Sequence, residues 1–350
     1  MNCAPATSAS LQPAIAADDC WLDASRELAQ CDQPLIVRGD HGQCGFSRDW
    51  RFPLLGEVFS SRWGAFFFLG LPRLDAAHAQ EGARDLLLGL RHAGAAVAEF
   101  AAVPAHGPVM RTLHDVARRE NLPMSVMARW RRAALDATQS VEQWWGADVS
   151  RKRRKEWKRL KRKLDETGDV RFETLRRGGD LAPWLNDFLK LEQAGWKGKR
   201  GTAIACDRHQ TAFVKQALAC FHRQGQLRFW RLMRDDALLA TMFGFIDGAT
   251  LWLGKIAYDE TEGKYSPGLL LTIEATRDIL ADPAVSFADS AADPDHPMID
   301  HVWKQRLEMA DVLIATRPMR AARWRAIVAA ELLRRAARAR AKRLYHALRA

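Results

Sequence analysis

The chain has 350 residues, 48% of them hydrophobic and 27% charged. That is enough apolar material for two compact lobes, and too much for global disorder. No run approaches the ~20 apolar residues of a spanning helix, and the N-terminus lacks the basic start and apolar stretch of a secretory leader. The net charge of +11 is concentrated in two places. Residues 151–163, RKRRKEWKRLKRK, carry ten basic residues and one acid, and residues 317–350 carry eleven and one, so the remainder is acidic on balance. The six cysteines, at 3, 20, 31, 44, 206 and 220, form no CxxC and no zinc-spaced cluster with histidine. Reduced thiols in a cytoplasmic protein without a metal site are therefore expected.

Residues 1–20 are rich in Ala, Ser and Pro without periodicity, and are expected to be mobile. WGAFFFLGL, residues 63–71, reads as a buried strand. DAAHAQEGARDLLLGLRHAG reads as a helix with Leu86, Leu87 and Leu90 inward, AAVAEFAAV as a strand, GPVMRTLHDVARREN as a helix and PMSVMARWRR as a strand. Strands alternating with helices of this length imply β-α-β units. In the basic run, Trp157, Leu160 and Leu164 recur at i, i+3 and i+7, a narrow apolar stripe on a charged helix that stops by Gly168. DVRFETLR then predicts a strand, and DLAPWLNDFLKLEQAGW a helix capped by Asp180 with Leu185, Phe188 and Leu189 inward. GKRGTAIAC predicts a polar loop, and DRHQTAFVKQALACFHRQG a helix closed by Gly225. Residues 226–260 break at Asp235-Asp236 and at Asp247-Gly248 into three strands joined by tight turns. A helix from Ser266 to about Asp282, the strand AVSFADSA, the helix MIDHVWKQRLE and the strand ADVLIAT follow. The basic tail reads as a helix with Trp324, Ile327, Val328, Leu332 and Leu333 on one side.

Within this pattern KIAYDETEGKYSPGLLLTIEA, residues 255–275, runs from strand to loop to helix. Ser266 stands where an N-cap accepts an orphan N–H, and Pro267 fits the first helical position because it has no N–H to lose. Gly268 admits a close approach to the first turn, and Lys264 and Tyr265 sit just outside it.

The order β-α-α-β-β-β-α-β-α-β, with a long helix after the fourth strand, resembles the GNAT N-acetyltransferase superfamily. SRKRRKEWKRLKRKLDETGDVRFE, LEQAGWKGKRGTA, KIAYDETEGKYSPGLLL and ADPDHPMIDHVWKQR are similar to the CelD/BcsL branch, named for an association with cellulose biosynthesis. The resemblance covers about 60–316 and implies an α/β protein with tandem GNAT-like lobes, mixed sheets flanked by helices, and a shortened N-terminal lobe. Residues 1–59 would be a partial lobe, 60–150 the N-terminal lobe, 151–168 a connecting helix, 169–316 the acyltransferase lobe and 317–350 a tail. The 60 residues before WGAFFFLGL show little of a lobe's opening β-α-α-β-β.

The implied activity is N- or O-acyl transfer by direct attack on a thioester, with acetyl-CoA or another acyl-CoA as donor and a link to envelope or exopolysaccharide biosynthesis. Lys255, Ile256 and Ala257 would pair with the pantetheine arm, and Lys264, Ser266, Pro267, Gly268 and Leu269 would hold the pyrophosphate. The usual signature there, Gln/Arg-x-x-Gly-x-Gly/Ala, is not matched, because Pro267 and Leu270 stand where small residues belong. An acyl carrier protein or an aminoacyl-tRNA is therefore a further candidate donor. Tyr258 or Tyr265 would protonate the leaving thiolate, and Asp289 is the best placed base, with Glu192 and Asp259 nearby and His296 and His301 flanking the following helix. Glu192, Trp196, Lys197, Lys199, Arg200, His296 and Trp303, with Arg306 beside it, would meet a small-molecule or polysaccharide-precursor acceptor. The tail would meet an anionic membrane surface, at the inner membrane, or less readily nucleic acid. The reading of a different class is a silent GNAT-fold scaffold that only binds.

Overall fold

The computed structural model describes residues 9–52, 55–64 and 69–347. In chain order it contains α1 (Asp19–Ala24), β1 (Leu35–Arg38), β2 (Gly42–Phe52), β3 (Gly56–Ser60), β4 (Arg73–Leu74), α2 (Ala79–His92), β5 (Ala95–Pro104), α3 (Pro108–Arg119) and β6 (Met124–Asp136). It continues with α4 (Val141–Gln143), α5 (Arg151–Asp165), β7 (Val170–Leu175), α6 (Leu181–Ala194), α7 (Trp196–Lys199), α8 (Arg208–Arg223), β8 (Leu227–Arg234), β9 (Ala237–Asp247) and β10 (Thr250–Tyr258). The last elements are α9 (Pro267–Leu280), β11 (Phe287–Asp289), α10 (Ile299–Val302), β12 (Gln305–Ala315) and α11 (Ala321–Ala347). No described helix is long and apolar enough to cross a membrane. The chain divides into two compact units: residues 1–17, 32–130 and 308–350 form the first, and residues 18–31 and 131–307 the second.

In the first unit β1, β2 and β3 form an antiparallel meander, β5 adds to β3 in parallel, and β12 adds to β5 antiparallel. Three strands thus lie before residue 61, which corrects the expectation that little of a lobe precedes WGAFFFLGL. They are hard to read because Gly, Arg and Asp interrupt the alternation of β2. Residues 65–68 of the expected strand WGAFFFLGL lie outside the described residues, and Leu69 and Leu71 are buried without joining a strand. α11 completes this unit. Ile327 enters a core of Val58, Ala96, Val97, Met127 and Leu313, with Trp324 and Val328 packed beside it. The inward positions 324, 327, 328 and 331 follow the i, i+3, i+4, i+7 rule. Leu332 and Leu333, expected on that face, are exposed instead, and buried Glu331 takes the inward place. Two arginines let a glutamate be buried there: Arg334 holds Glu331 at 2.7 Å, and Arg335 pairs with Glu331, with Glu99 and with Asp311 at 2.6–2.8 Å.

In the second unit the strand order is β6-β11-β10-β9-β8-β7, antiparallel throughout except for β10 and β11. The turns at Asp235-Asp236 and Asp247-Gly248 fall where the sequence places them. Asp180 caps α6 by accepting the Ala182 N–H, and Trp157, Leu160 and Leu164 of α5 are buried in the core of this unit. Four expectations are corrected. Trp196–Lys199 is a short helix rather than loop. Only Ile299–Val302 of MIDHVWKQRLE is helical, because β12 already begins at Gln305. Within residues 1–20, of which 1–8 lie outside the description, Cys20 and the residues that follow it are folded: Trp21 packs against Phe213, Phe245 and Phe221 with ring centroids 5.0, 5.6 and 6.2 Å away. Finally, Cys20 is joined to Cys220 by a disulfide, so the thiols are not all reduced. Their Cα atoms lie 5.5 Å apart because α1 packs on α8.

Candidate functional site

The parallel pairing of β10 is short. Thr250, Leu251 and Trp252 pair with Phe287, Ala288 and Asp289, and there β11 ends. On the other edge the register with β9 slips after Leu253 and resumes at Ile256. Gly254 lies in this bulge, where a Cβ would come within 2.5 Å of the Phe243 ring, so only glycine fits. Asp259 donates its N–H to Leu239 O on the β9 side. By strand alternation the Ala257 N–H points the same way, and those of Ile256 and Tyr258 face the edge that β11 does not reach.

A 3-10 segment, Glu260–Tyr265, leads to Ser266. Its φ of 52° and ψ of 55° are left-handed, and its hydroxyl makes no capping bond. That corrects the expected N-cap, which needs extended backbone to turn its oxygen toward the first turn. A left-handed non-glycine residue costs ~1–2 kcal/mol, and strain of this kind clusters at functional positions. Pro267 has no N–H, and the Leu270 N–H is bonded to Ser266 O. The N–H groups of Gly268 and Leu269 therefore stand at the positive end of α9. Gly268 lies close to its neighbour: a Cβ would be 3.0 Å from Tyr258 Cδ1 and 3.4 Å from Cγ, so the ring would have to give by a few tenths of an ångström.

These elements wall a cavity of about 360 Å³ lined by Arg153, Trp157, Tyr258, residues 266–269, Pro297, Met298 and His301. It has no acidic lining residue. Arg153 Nη2 lies 2.7 Å from His301 Nδ1. A guanidinium only donates, so Nδ1 accepts and the neutral ring carries its proton on Nε2. Burial, and then Arg153 and Lys304, hold the His301 pKa below its usual value. Tyr258 also borders a smaller recess, about 30 Å³, lined by Glu192, Gly195, Trp196, Lys197, Ala257 and Glu260 among others. The two hollows meet at this tyrosine.

Glu192 supports the smaller recess from beneath. Its buried carboxylate accepts from Lys197 Nζ at 3.1 Å, from Lys255 Nζ at 3.4 Å and from the Ile204 N–H at 2.9 Å. Burial lowers the Lys255 pKa, and Glu192 works against that shift. Glu260 accepts the Trp196 N–H at 2.6 Å through Oε1 and faces Lys199 at 3.7 Å through Oε2.

The structure thus brings Tyr258, Ser266, Pro267, Gly268 and Leu269 to one cavity, and Glu192, Trp196, Lys197 and Ala257 to the adjoining recess. Ile256 lines that recess too, and Lys255 reaches it only through Glu192. Lys199 pairs with Glu260, and Arg200 stacks over Trp196 at 5.0 Å. Other candidates are placed elsewhere. Asp289 is buried and ion-paired with Arg132 at 2.5 Å, while its second oxygen accepts the Ala291 N–H, so it is not free to act as a base. Tyr265 packs against the core under Lys264, whose ammonium lies 4.9 Å from the ring rather than at the helix mouth. His296 accepts from the N–H groups of Met298 and Ile299 and caps α10. Trp303 is fully buried, its indole N–H donated to Thr276, so it covers no site. Arg153 and Glu260 carry roles the sequence reading did not assign, and His301, a candidate base there, lines the larger cavity instead. Arg153 is hidden among ten similar cations, and Glu260 acquires its place only from the turn that follows β10. In the first unit His41, Asp75 and His78 bring donor atoms within 4.8 Å of one another, but the two rings stack 24° from parallel, so their in-plane lone pairs do not converge.

Residues 151–296 match the model of the acetyltransferase (GNAT) domain. The matched segment holds the whole lining of the smaller recess and that of the larger cavity apart from Pro297, Met298 and His301. Among solved structures, the chain is similar to one described as the C-terminal domain of a lysylphosphatidylglycerol synthetase from Agrobacterium fabrum, at 11% identity and a TM-score of 0.56, covering 91% of this chain and 95% of that one. FemX is similar at 9% identity and a TM-score of 0.56, with 85% and 91% covered. A conserved protein of unknown function from Bacteroides thetaiotaomicron follows at 11% identity and a TM-score of 0.54, with 85% and 92% covered. At these identities the likeness is one of fold. No curated protein is a significant sequence match. The fold class is the expected one, mixed α/β with mixed sheets flanked by helices, and the second unit carries an acetyltransferase-type fold.

Proposed function

We propose that the second unit transfers an acyl group from a thioester to an amine or hydroxyl by direct attack. The observation that carries this reading is Tyr258, shared by the donor-sized cavity and the small polar recess beside the open edge of β10. A phosphorylated thioester fits the larger hollow: Arg153, the N–H groups of Gly268 and Leu269, the Ser266 hydroxyl and the His301 Nε2–H all offer donors to an anion, and Leu269, Met298 and Pro297 offer apolar contact to an arm. An acyl-CoA is the simplest such donor. The resemblance to the CelD/BcsL branch supports a polysaccharide-precursor acceptor.

The acceptor enters by the recess. Its nitrogen or oxygen forms a bond to the acyl carbon, and the carbon–sulfur bond breaks. Glu260, whose Oε2 is held among the described residues only by a lysine at 3.7 Å, takes the acceptor proton. The outward N–H groups of Ile256 and Tyr258 face the developing oxyanion, and the Tyr258 phenol gives its proton to the leaving thiolate. Glu192 keeps Lys197, Lys255 and the 203–204 backbone in register, and its three donors leave it no role in proton transfer. Thiol release from acetyl-CoA in the presence of amine and hydroxyl acceptors tests the reading. Tyr258→Phe is expected to lower kcat by about 10²-fold while the donor Kd stays within a factor of ~3. Unchanged turnover would remove the tyrosine from the reaction, and absence of turnover with every acceptor and thioester would remove the reading.

A further inference from the structure

The first turn of α5 is Arg151, Lys152, Arg153 and Arg154, with no acidic residue. Cations at the positive end of a helix dipole oppose helix formation, so this turn is not arranged for folding. Some of the basic residues of α5 have local work. Arg154 donates to the carbonyls of Trp145 and Gly146, Arg159 pairs with Glu156, and Lys161 pairs with Asp165. Arg151, Lys152, Lys155 and Lys158 are exposed and have no hydrogen-bond or ion-pair partner among the described residues. Positions 151, 155 and 158 fall at i, i+4 and i+7, with Lys152 beside Lys155, so the four form one stripe. Arg153 and Trp157, on the same helix, line the donor cavity. Positive charge crowds this mouth further: burial, then Arg153 and Arg306, hold the Lys304 ammonium below its usual pKa.

We propose that the stripe on α5 docks an acidic helix of a carrier protein whose phosphorylated, thioester-bearing arm enters the cavity at α9. This rests on the acyl-transfer reading and names the donor class of the same site. Charge complementarity selects the partner. α5 is 15 residues long, roughly 22 Å at 1.5 Å per residue, more than the phosphates gathered at one helix mouth can cover. Its exposed side offers no apolar residue to settle into a bilayer, since Trp157, Leu160 and Leu164 all face the core. The same inward turn of Trp157 leaves no aromatic platform for a nucleobase. What remains is a row of ammonium groups spaced as carboxylates are on a facing helix.

The test uses the full chain and a bacterial acyl carrier protein in three forms: without its arm, with the free arm and acetylated. Titration of the armless carrier reads docking without turnover. The triple variant Lys152→Glu/Lys155→Glu/Lys158→Glu is expected to weaken that binding at least ~10-fold and to abolish its salt dependence. The acetyl-CoA Kd is expected to stay within a factor of ~3, because none of the three side chains lines the cavity. Glutamate at 152 suits the dipole, and Lys155 and Lys158 are exposed positions where a helix-forming glutamate is tolerated, so the variant is expected to melt close to the wild type. A neutral Gln triple variant gives a second reading of the same effect. Failure of the wild type to bind the armless carrier, or equal binding by the charge-reversed variant, overturns the docking. Tighter lysine-dependent binding of a transfer RNA mixture, or of phosphatidylglycerol vesicles, overturns it in favour of that partner. If the carrier docks but neither acetyl-CoA nor acetylated carrier releases thiol, it is the acyl-transfer reading that fails.

Discussion

Gly268→Asp separates folding from donor binding at a single position. Gly268 is buried in the first turn of α9, and its N–H and that of Leu269 face the cavity. For the helix alone the change is favourable, since glycine is a poor helix former and a carboxylate at this end suits the dipole, together about 1 kcal/mol. Against this stands the Tyr258 ring, 3.0 Å from the new Cβ, which must give by a few tenths of an ångström. Tyr258 is 38% exposed and has room to do so. The expected melting temperature is therefore close to that of the wild type. Donor binding is different. A carboxylate at about 5 Å from a bound phosphate, at an effective dielectric of ~20, repels it by about 3 kcal/mol, a loss of roughly two powers of ten in affinity. Gly268→Ala carries the steric part alone, and is expected to weaken acetyl-CoA by less than ~10-fold. Calorimetric titration of both variants, beside their melting curves, decides the matter. A folded Gly268→Asp protein with wild-type affinity would refute the assignment of the α9 mouth as the phosphate site.

Four further outcomes are expected. Glu260→Gln lowers kcat and flattens the acid limb of its pH profile, with little change in donor Kd; an unaltered profile places the base elsewhere. His301 has a folded pKa below the usual 6.5, so near that pH the unfolded chain binds more protons, and stability rises with pH up to about 6.5 and then levels; His301→Gln should remove that slope from melting temperatures read between about pH 5 and 6.5. Cys20→Ser/Cys220→Ser releases a cross-link spanning 200 residues, which on chain entropy alone stabilises by up to about 5 kcal/mol; denaturant midpoints with and without reductant should differ for the wild type and coincide for the variant. Arg335→Ala leaves Glu99, Asp311 and Glu331 buried without their shared cation, and should cost about 3–5 kcal/mol by denaturant titration.

The second unit was legible because its periodicity and punctuation agree. Asp-Asp and Asp-Gly turns bound strands of near-continuous hydrophobicity, and Asp180 and Gly225 mark helix ends. The mouth of α9 was legible as a helix start, although Ser266 keeps its place through backbone strain rather than capping. What escaped the sequence is non-local. Asp289 and Trp303 carry the residue types of a site, but Arg132 and Thr276, more than 20 residues away, turn them into core. The disulfide joins positions 200 residues apart, a pairing that no spacing rule reaches. The apolar side of α11 was read from pattern alone, and an ion network with Arg335, not hydrophobicity, decides that Glu331 faces in and Leu332 faces out.

The two units share a topology, and comparing them shows why only one is open. In each, the last strand of an antiparallel meander leads through a helix to a parallel partner: β3, α2 and β5 in the first unit, with the two-residue β4 before α2, and β10, α9 and β11 in the second. Between β10 and β11 the pairing stops after three residues, and the Ile256 and Tyr258 N–H groups are left facing outward. Between β3 and β5 the corresponding gap is closed. Pairing runs to Ser60 and Glu99, the Ser61 N–H goes to Glu99 O at 2.8 Å, the Ala101 N–H goes to the Ser61 hydroxyl at 2.9 Å, and Gly70 donates to Ala101 O at 2.9 Å. The Ser60 hydroxyl binds Glu99, which Arg335 of α11 also holds. The helix start differs as well. Neither helix has a side-chain cap, but α2 lacks the Ser-Pro-Gly entry, and the hairpin carbonyl of His41 lies so near Gly82 that a Cβ there would be 2.2 Å from it. A sealed strand edge offers no backbone donors to a thioester, and an occupied helix start offers no anion site. The same succession of elements therefore serves as packing in the first unit and leaves an entrance in the second. The local differences responsible are few: a bulge at Gly254, a strand that stops at Asp289, and a left-handed serine before Pro267.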